Sequence, residues 1–402
     1  MRDDWIETTL NDALEPIANH PNGKDYPLVL SVTEKRGIIP QTEIFKHRIA
    51  TDDISKYKVL EPMDIAYNPY LLWCGAIGQW QGNQPGIVSP VYECFRVKSN
   101  CEPRYLGYIF ETGILTNYFD ALAIGSIVRR RRTIPTDFIA APIQLPPLLE
   151  QRRIVDLISS VDIYVEALQQ NLETARNSRN AVLHELLTAG GDDWVETTLG
   201  EICTDGLFAD GDWVESKDQD PEGDYRLLQL ADIGDGTFLN KSDRWMNREQ
   251  FNRLGCTKLE VNDVLIARMP DPIGRACLFP EGLPVCATVV DVAIVRTGNE
   301  TLQKFLALLI NSSDFRTEAF SLLTGTTRQR ISRGNLAKIS FAIPSQEKQL
   351  EIVKLISLFD GEIAQSVRVI EEAKQLRSGL LSDLLSGEHE IPVTYDKVMG
   401  AA

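Results

Sequence analysis

Two arginine clusters are the residues in this sequence whose type and spacing could act on another molecule. The first is a run of four arginines after Gly125-Ser126, and the second is TTRQRISR, at 326–333 after Gly325. Guanidinium groups donate paired hydrogen bonds to phosphates and to guanine edges, and a glutamine amide pairs with adenine. The clusters therefore predict nucleic-acid contacts made by Arg129, Arg130, Arg131, Arg132, Arg328, Gln329, Arg330 and Arg333.

The simpler interpretation of a single arginine run is a solvated surface, but the position of these clusters argues against it. At a constant offset of 198 residues, Arg130 matches Arg328 and Arg132 matches Arg330. Each cluster lies between a segment with helical spacing, 105–122 or 301–323, and an apolar, strand-like segment. Recurrence at one place in two otherwise diverged regions favours a shared function.

The chain is two copies of one plan. DDWIETTL at 3–10 returns as DDWVETTL at 192–199. PPLLEQRRIVDLISSVD, from residue 146, aligns without a gap with PSQEKQLEIVKLISLFD, from residue 344. Each copy thus has a short opening, a variable region and a long periodic segment.

The periodic segments predict two long helices that pair. Apolar residues recur at alternating steps of four and three from 154 to 186 and from 352 to 384, which is typical of a coiled-coil seam. A helix of about 38 residues would be about 57 Å long and needs a partner of equal length, which the other copy supplies. An internal two-fold axis would make the pair antiparallel and hold the variable regions at opposite ends.

Both seams carry an alanine followed four residues later by an arginine: Ala175 and Arg179, then Ala373 and Arg377. A polar seam residue can fix the register of a coiled coil when it is paired. The alternative is an arginine that extends to the solvent from a position near a helix end. The sequence leaves both interpretations open.

The variable regions predict a mixed α+β fold. YRLLQLADI, VLIARM, VCATVVDVAIV and LAKISFAI in the second copy, and IVSPVYECFRV in the first, are β-branched or apolar runs bounded by turn residues. We predict two domains related by internal pseudo-two-fold symmetry and separated by an antiparallel two-helix coiled coil. The predicted segments are domain 1 at 1–149, helix 1 at 150–189, domain 2 at 190–345, helix 2 at 346–389 and a tail at 390–402.

Composition narrows the possible functions. The net charge is -16, and eight acids lie in 205–224, so strong binding of nucleic acid by the whole surface is not expected. Seven cysteines show no CxxC pair, histidines number four, and no GxxxxGK[ST] loop occurs. We therefore expect no catalytic residue, no cofactor and no metal site. Without a signal peptide or an apolar run long enough for a membrane helix, the chain is expected in the cytoplasm.

Several stretches together resemble the specificity (S) subunit of type I restriction-modification enzymes. They are the DDWxETTL opening, GIVSPVYECFRV at 86–97, LPPLLEQRRIV at 145–155, YRLLQLADIGDGTF at 225–238 and LEVNDVLIAR at 259–268. The resemblance covers nearly the whole chain, and its last motif adds Arg268 to the candidate DNA-contacting residues. It implies two target-recognition domains that read the halves of a split, asymmetric site in double-stranded DNA, separated by helices that act as a ruler.

The same resemblance implies a subunit without chemistry of its own. It would recruit two adenine methyltransferase (M) subunits, which use S-adenosylmethionine, and ATP-driven restriction (R) subunits can join them in phage defence. An alternative is a two-headed coiled-coil scaffold that binds proteins through the acidic stretch and does not recognise DNA. An enzyme with a concealed site is a third hypothesis, for which the sequence supplies no nucleophile, metal set or cofactor loop.

Overall fold

The computed structural model describes residues 4–24, 26–45, 53–125, 131–270 and 272–400. It divides into two compact units. Unit 1 consists of residues 1–169 and 369–402, and unit 2 of residues 170–368. Because the two helices predicted from the seam are continuous, each contributes residues to both units.

Unit 1 combines strands with short helices and part of each long helix. Its strands are β1 (Ile6–Thr9), β2 (Leu14–Ile17), β3 (Leu30–Thr33), β4 (Gly37–Pro40), β5 (Lys58–Leu60), β6 (Ile65–Tyr67), β7 (Ile77–Gln79), β8 (Gly86–Val88), β9 (Glu93–Val97) and β10 (Pro142–Leu145). Its helices are α1 (Leu10–Ala13), α2 (Pro103–Glu111), α3 (Thr116–Leu122), α4 (Pro135–Ile139) and the start of α5 (Leu148–Thr188).

Unit 2 has the same kinds of element. Its strands are β11 (Val195–Thr198), β12 (Leu207–Asp210), β13 (Tyr225–Leu228), β14 (Trp245–Met246), β15 (Val264–Ala267), β16 (Ala276–Leu278), β17 (Cys286–Thr288), β18 (Val292–Arg296) and β19 (Ser340–Ile343). Its helices are α6 (Leu199–Ile202), α7 (Arg248–Leu254), α8 (Glu300–Ile310), α9 (Ser313–Ser321), α10 (Arg333–Leu336) and the start of α11 (Gln346–Ser386).

The sheets of the two units follow one scheme. A four-stranded antiparallel sheet has the order β2-β9-β6-β7 in unit 1 and β12-β18-β15-β16 in unit 2. In each sheet an arginine on the second strand forms a two-point ion pair with a buried aspartate: Arg96 with Asp64, and Arg296 with Asp263. The opening motif of each copy forms a two-strand ribbon, β1 with β10 and β11 with β19. These elements confirm the mixed helix and strand fold.

Several segments expected as single elements are divided. The helix expected over 105–122 ends at Glu111, and Gly113, with a φ of 68°, starts the turn before α3. The helix expected over 301–323 is broken at Asn311 because the Ser312 side chain accepts a hydrogen bond from the Phe315 N–H and caps α9. The strand expected over 87–97 is likewise two strands, β8 and β9, with Pro90 between them.

In unit 1 the start of α5 packs against the end of α11. Ile154 and Ile158 share a buried cluster with Leu381, Leu384 and Leu385. Nearer the middle of each helix, Asp162 accepts a hydrogen bond from Arg377. Earlier residues of α5 therefore meet later residues of α11, so these two segments are antiparallel.

In unit 2 the end of α5 packs against the start of α11 in the same sense. Arg179 donates to Asp360, and four residues further on Leu183 lies in a cluster with Ile352 and Ile356. The seam positions expected from the sequence are buried or half-buried along both helices. Across the described ranges, no helix is both long enough and apolar enough to cross a membrane.

Candidate nucleic-acid interface

The arginine-rich loop of unit 2 is a short, closed loop. The backbones of Thr324 and Arg330 exchange two hydrogen bonds of 3.0 Å, which close the loop at its base. Gly325 has a φ of 98°, and a Cβ there would lie 2.7 Å from the carbonyl oxygen of Arg328. The loop therefore needs glycine at this position, because a larger residue would displace the backbone that carries the arginine.

The chain after the loop is anchored in the core. Ile331 is fully buried, and its N–H donates to the carbonyl oxygen of Arg268 at 2.9 Å. Ser332 then caps α10 by accepting a hydrogen bond from the Asn335 N–H. A buried residue and a helix cap thus fix the base of a loop whose polar side chains remain outside.

These outer side chains are those predicted to contact nucleic acid. Arg328 and Gln329 are exposed, and neither side chain has a hydrogen bond or ion pair with another residue in the part of the chain that the structure describes. Arg330 is 49% exposed and lies 3.3 Å from Asp291. Arg333 is exposed and reaches the Phe208 carbonyl at 3.4 Å. The loop presents its donors outward, with only long, weak contacts to the protein.

Arg268 differs from the other candidates because its side chain is only 3% exposed. It lies 2.9 Å from Asp210 and donates to the Val290 carbonyl at 2.5 Å. Burial lowers the pKa of Arg268, Asp210 partly opposes this effect, and Arg330 adds to it. Since its backbone carbonyl also holds Ile331, its position suits support of the loop rather than exposure to a ligand.

The loop of unit 1 is closed in the same way. Ile124 and Arg132 exchange backbone hydrogen bonds of 3.0 and 2.9 Å, and the next residue, Thr133, is buried and donates from its N–H to the Pro69 carbonyl at 3.0 Å. Arg132 and Arg330 are the residues that match at the offset of 198 in the sequence. Arg129 and Arg130 lie outside the described residues.

The two described arginines of this loop have different surroundings. Arg131 is held by Asp120, with 2.6 Å from Nη1 to the carboxylate, and its guanidinium lies 5.0 Å from the Trp73 ring centre. Arg132 is exposed and lies 5.7 Å from the ring centre of Tyr70. Cation–π contacts orient an arginine without using its hydrogen-bond donors. Arg132 is therefore oriented by an aromatic ring while its donors remain available.

The sequence prediction missed the residues that hold these loops. Tyr70 and Trp73 orient arginines in unit 1, and Asp210 and Asp291 do so in unit 2. The two motifs LEPMDIAYNPY, from Leu60, and LEVNDVLIARM, from Leu259, align without a gap. This alignment places Pro69 opposite Arg268, and the backbone carbonyls of these two residues anchor the two loops. The alignment could therefore have identified the segments that lie next to the loops.

Each seam arginine is paired with an aspartate of the other long helix. Arg179 Nε donates to Asp360 at 2.7 Å in unit 2, and Arg377 Nε donates to Asp162 at 2.5 Å in unit 1. Both differences, 377 − 179 and 360 − 162, equal 198, so the pair is the same in both copies. Ala175 and Ala373 are half-buried on the same seams. A paired arginine at matching positions suits a role in register, which remains a prediction.

Arg377 has a second acidic partner, Glu111, at 2.5 Å from Nη1. Burial acts to lower the pKa of Arg377, but the hydrogen bonds to Asp162 and Glu111 outweigh it and raise the pKa above the ordinary arginine value. Because Glu111 ends α2, this pair links the seam to the domain of unit 1.

Part of the acidic stretch 205–224 is engaged within unit 2. Asp210 faces Arg268, and Asp218 accepts a hydrogen bond from Arg253 at 2.6 Å, which lowers the pKa of Asp218. Asp212 accepts from the Thr257 N–H at 3.0 Å. These acids stabilise the domain, and we find no arrangement in them that favours a protein-binding scaffold.

Comparison with known proteins gives one consistent result. Residues 191–375 match the type I restriction modification DNA specificity domain family. The MjaVIII specificity subunit of Methanocaldococcus jannaschii is 22% identical over 96% of this chain and 93% of its own length. The StySPI specificity subunit of Salmonella potsdam is 24% identical over 71% of this chain and 65% of its length.

A solved structure has the same fold. A chain in a study of complex assembly and conformational transition of the type I R-M system matches with a TM-score of 0.61 and 18% identity, covering 96% of this chain and 98% of that one. This chain is similar over nearly its whole length to the specificity subunits of type I restriction enzymes. Both the matched domain and the relatives are described as specificity components of type I restriction systems.

Proposed function

We propose that this subunit reads a split, asymmetric DNA site through two arginine-rich loops, one in each unit. The observation that carries the proposal is the recurrence of one closed loop, with Arg132 or Arg330 at its closing position and a buried residue after it. The loops enclose different numbers of residues, seven between 124 and 132 and five between 324 and 330. Loops that differ in length and sequence favour two different half-sites.

The proposed contacts are of two kinds. Arginine and glutamine side chains in the major groove specify bases, whereas arginine contacts to phosphate fix position without sequence information. The exposed set is Arg132, Arg328, Gln329, Arg330 and Arg333, with Arg129 and Arg130 proposed from sequence alone and Arg131 as an oriented neighbour. Arg268 is proposed as the residue that supports the loop of unit 2.

The proposed partners are those suggested by the likeness to type I specificity subunits. We propose that the chain assembles with two adenine methyltransferase subunits, and that restriction subunits can join this complex. S-adenosylmethionine and ATP would be bound by those partners only, and the assembly would act on DNA in the cytoplasm. Phosphate contacts dominate the affinity of proteins for DNA. Because this chain has a net charge of -16, we propose that partners with basic surfaces supply most of the phosphate contacts, while this chain supplies the contacts to bases.

Mapping modified adenines in the host genome tests the proposal. The wild-type host should show methylation at one motif with two specified segments and an unspecified spacer of constant length. A strain that lacks only this chain, with the methyltransferase gene intact, should lose that motif. Methylation that persists in the deletion strain, or a single uninterrupted motif, would contradict the proposal.

A further inference from the structure

A turn between β17 and β18 lies beside the arginine-rich loop of unit 2. We call its residues, 289–291, the β17–β18 turn. The N–H of Arg268 donates to the carbonyl oxygen of Asp291 at 2.9 Å, and its guanidinium donates to the Val290 carbonyl at 2.5 Å. The carbonyl of the same arginine accepts the hydrogen bond from the Ile331 N–H that anchors the loop. Arg268 therefore holds the turn and the base of the loop next to each other.

The carboxylate of Asp291 in this turn is available to another molecule. Its contact with Nη1 of Arg330 is 3.3 Å long, whereas strong charge-assisted hydrogen bonds measure about 2.7–2.9 Å. The two side chains are 28% and 49% exposed. Within the described ranges, the second oxygen of Asp291 and the other donors of Arg330 have no partner. The pair thus presents donors and an acceptor side by side to the solvent.

The equivalent turn of unit 1 carries no acid at this position. GIVSPVYECFR, which ends at Arg96, aligns without a gap with CATVVDVAIVR, which ends at Arg296. These two arginines form the corresponding ion pairs of the two sheets, so the alignment follows the structure. It places Val91, which is 49% exposed, where unit 2 has Asp291. Because the turn forms in unit 1 without a carboxylate, the fold itself does not require Asp291.

An arginine in contact with an aspartate is complementary to one kind of base pair. A carboxylate repels phosphates, but it can accept a hydrogen bond from the amino group of cytosine in the major groove. The major-groove edge of a G·C pair presents the guanine acceptors N7 and O6 and then the cytosine donor N4. In an A·T pair the carboxylate would instead face the acceptor O4 of thymine, and the second arginine donor would face the adenine amino group. The pair therefore favours G·C and opposes A·T.

We propose that Arg330 and Asp291 together read one G·C base pair in the half-site of unit 2, with Arg330 on guanine and Asp291 on cytosine. Binding exchanges their 3.3 Å contact for two hydrogen bonds from the arginine to guanine and one from cytosine to the carboxylate. The β17–β18 turn is then a second reading element beside the loop. This inference rests on the proposed function, in which the loop of unit 2 contacts one half-site.

The single variants Asp291→Val and Arg330→Ala test the inference. Valine is the residue of unit 1 at this position, so the turn should keep its fold. Each variant replaces the wild-type chain in the host, and modified adenines are mapped. Both variants should relax the same position of the motif, a G·C pair in the wild type. The assembled complex is then bound to duplexes that differ at that pair alone. For Asp291→Val, the preference for G·C over A·T should fall at least about fivefold, the lower end of the range for one good base contact.

Two further variants keep the result interpretable. Asp291→Asn preserves the shape of the side chain, and because its amide can donate to thymine O4, it should relax the same base pair. Glu222→Gln removes one negative charge from an exposed residue elsewhere in unit 2 and should leave the motif unchanged. Asp291 variants that keep the wild-type motif, relax a different position from Arg330→Ala, or weaken every site equally overturn the inference. A wild-type chain without a split motif, or an Arg330→Ala chain with an unchanged motif, contradicts the proposed function instead.

Discussion

Replacing Arg328 and Arg330 with alanine should abolish recognition of one half-site and leave the other intact. Both side chains are exposed, and their one side-chain contact within the described ranges is the 3.3 Å approach of Arg330 to Asp291. Surface substitutions of this kind change the free energy of unfolding by within about 0.5 kcal/mol. The loop itself should persist, because backbone hydrogen bonds and Gly325 close it. A change in DNA binding can therefore be assigned to the lost guanidinium groups.

The expected size of the effect depends on what the arginines contact. A good bidentate contact to a base provides about 1–3 kcal/mol of discrimination, so two independent contacts would provide about 2–6 kcal/mol. Since 1.4 kcal/mol is tenfold in affinity, this corresponds to a loss between about 30-fold and about 20,000-fold. Two phosphate contacts would instead weaken binding to every sequence and reduce the slope of log affinity against log salt by about 1.8.

The assay is binding of the assembled complex to a labelled duplex that carries the mapped site. Two further duplexes each have one half-site changed, and affinities are measured between about 50 and about 200 mM salt. The matched control is Arg176→Ala with Arg368→Ala, two exposed helix arginines of unit 2 whose removal changes the net charge equally. Equal losses at both half-sites, or an equal loss in the control variant, would refute the assignment of the loop as a separate reading element.

Three other predictions follow from the helices and from residues 388–400. Inserting four residues into both α5 and α11 adds about 6 Å and should lengthen the unread spacer by one or two base pairs, which methylation mapping would detect; an unchanged spacer would contradict the ruler. Arg377→Ala removes the pairs with both Asp162 and Glu111 and should lower the free energy of unfolding by about 1–3 kcal/mol. Arg179→Ala removes only the pair with Asp360, which is 51% exposed, and should lower it by about 0.2–1 kcal/mol. Denaturant titration compares the two variants, and equal losses would contradict a stabilising role for Glu111. The hydrogen bond from Arg153 lowers the pKa of Asp396 below its usual 3.8. This ion pair therefore stabilises residues 388–400 at pH values above 3.8, and the stabilisation is lost as the pH falls through the lowered pKa. Hydrogen exchange of residues 388–400 should accelerate in acid, and in the Asp396→Asn variant it should already be faster at neutral pH.

The long helices were predictable because their signal is redundant. A four-three alternation sustained over more than four heptads has no competing explanation, and each seam position that the pattern predicts is at least half-buried. The ends of the shorter helices and strands could not be predicted in this way, because each end depends on only a few residues. The break at Asn311 depends on one hydrogen bond, from the Phe315 N–H to the Ser312 side chain. The spacing of apolar residues over 301–323 does not reveal this helix cap.

The residues that surround the arginines could not be predicted from the sequence because they are distant from the arginines along the chain. Arg330 meets Asp291 and Arg268 meets Asp210, and each acid is distant in sequence and lies next to a strand or within one. Whether an arginine is buried or available depends on such partners, so the sequence places Arg268 among the candidate DNA-contacting residues although its side chain is buried. Comparing the two copies would have indicated that Arg268 is not a shared DNA-contacting residue, because the aligned residue in the first copy is the uncharged Pro69.

That comparison separates what the loops share from what distinguishes them. In both units the backbone closes the loop at Arg132 or Arg330, and a buried residue after it donates to a carbonyl on the neighbouring motif. The side chains that orient the arginines differ, because unit 1 uses the aromatic rings of Tyr70 and Trp73 together with Asp120, whereas unit 2 uses Asp210 and Asp291. Under the proposed function, a constant backbone frame with variable side chains can change the bases that are read without altering the fold. Each proposed half-site could then diverge independently, provided that the paired helices, with Arg179 and Arg377 at matching positions, keep one register.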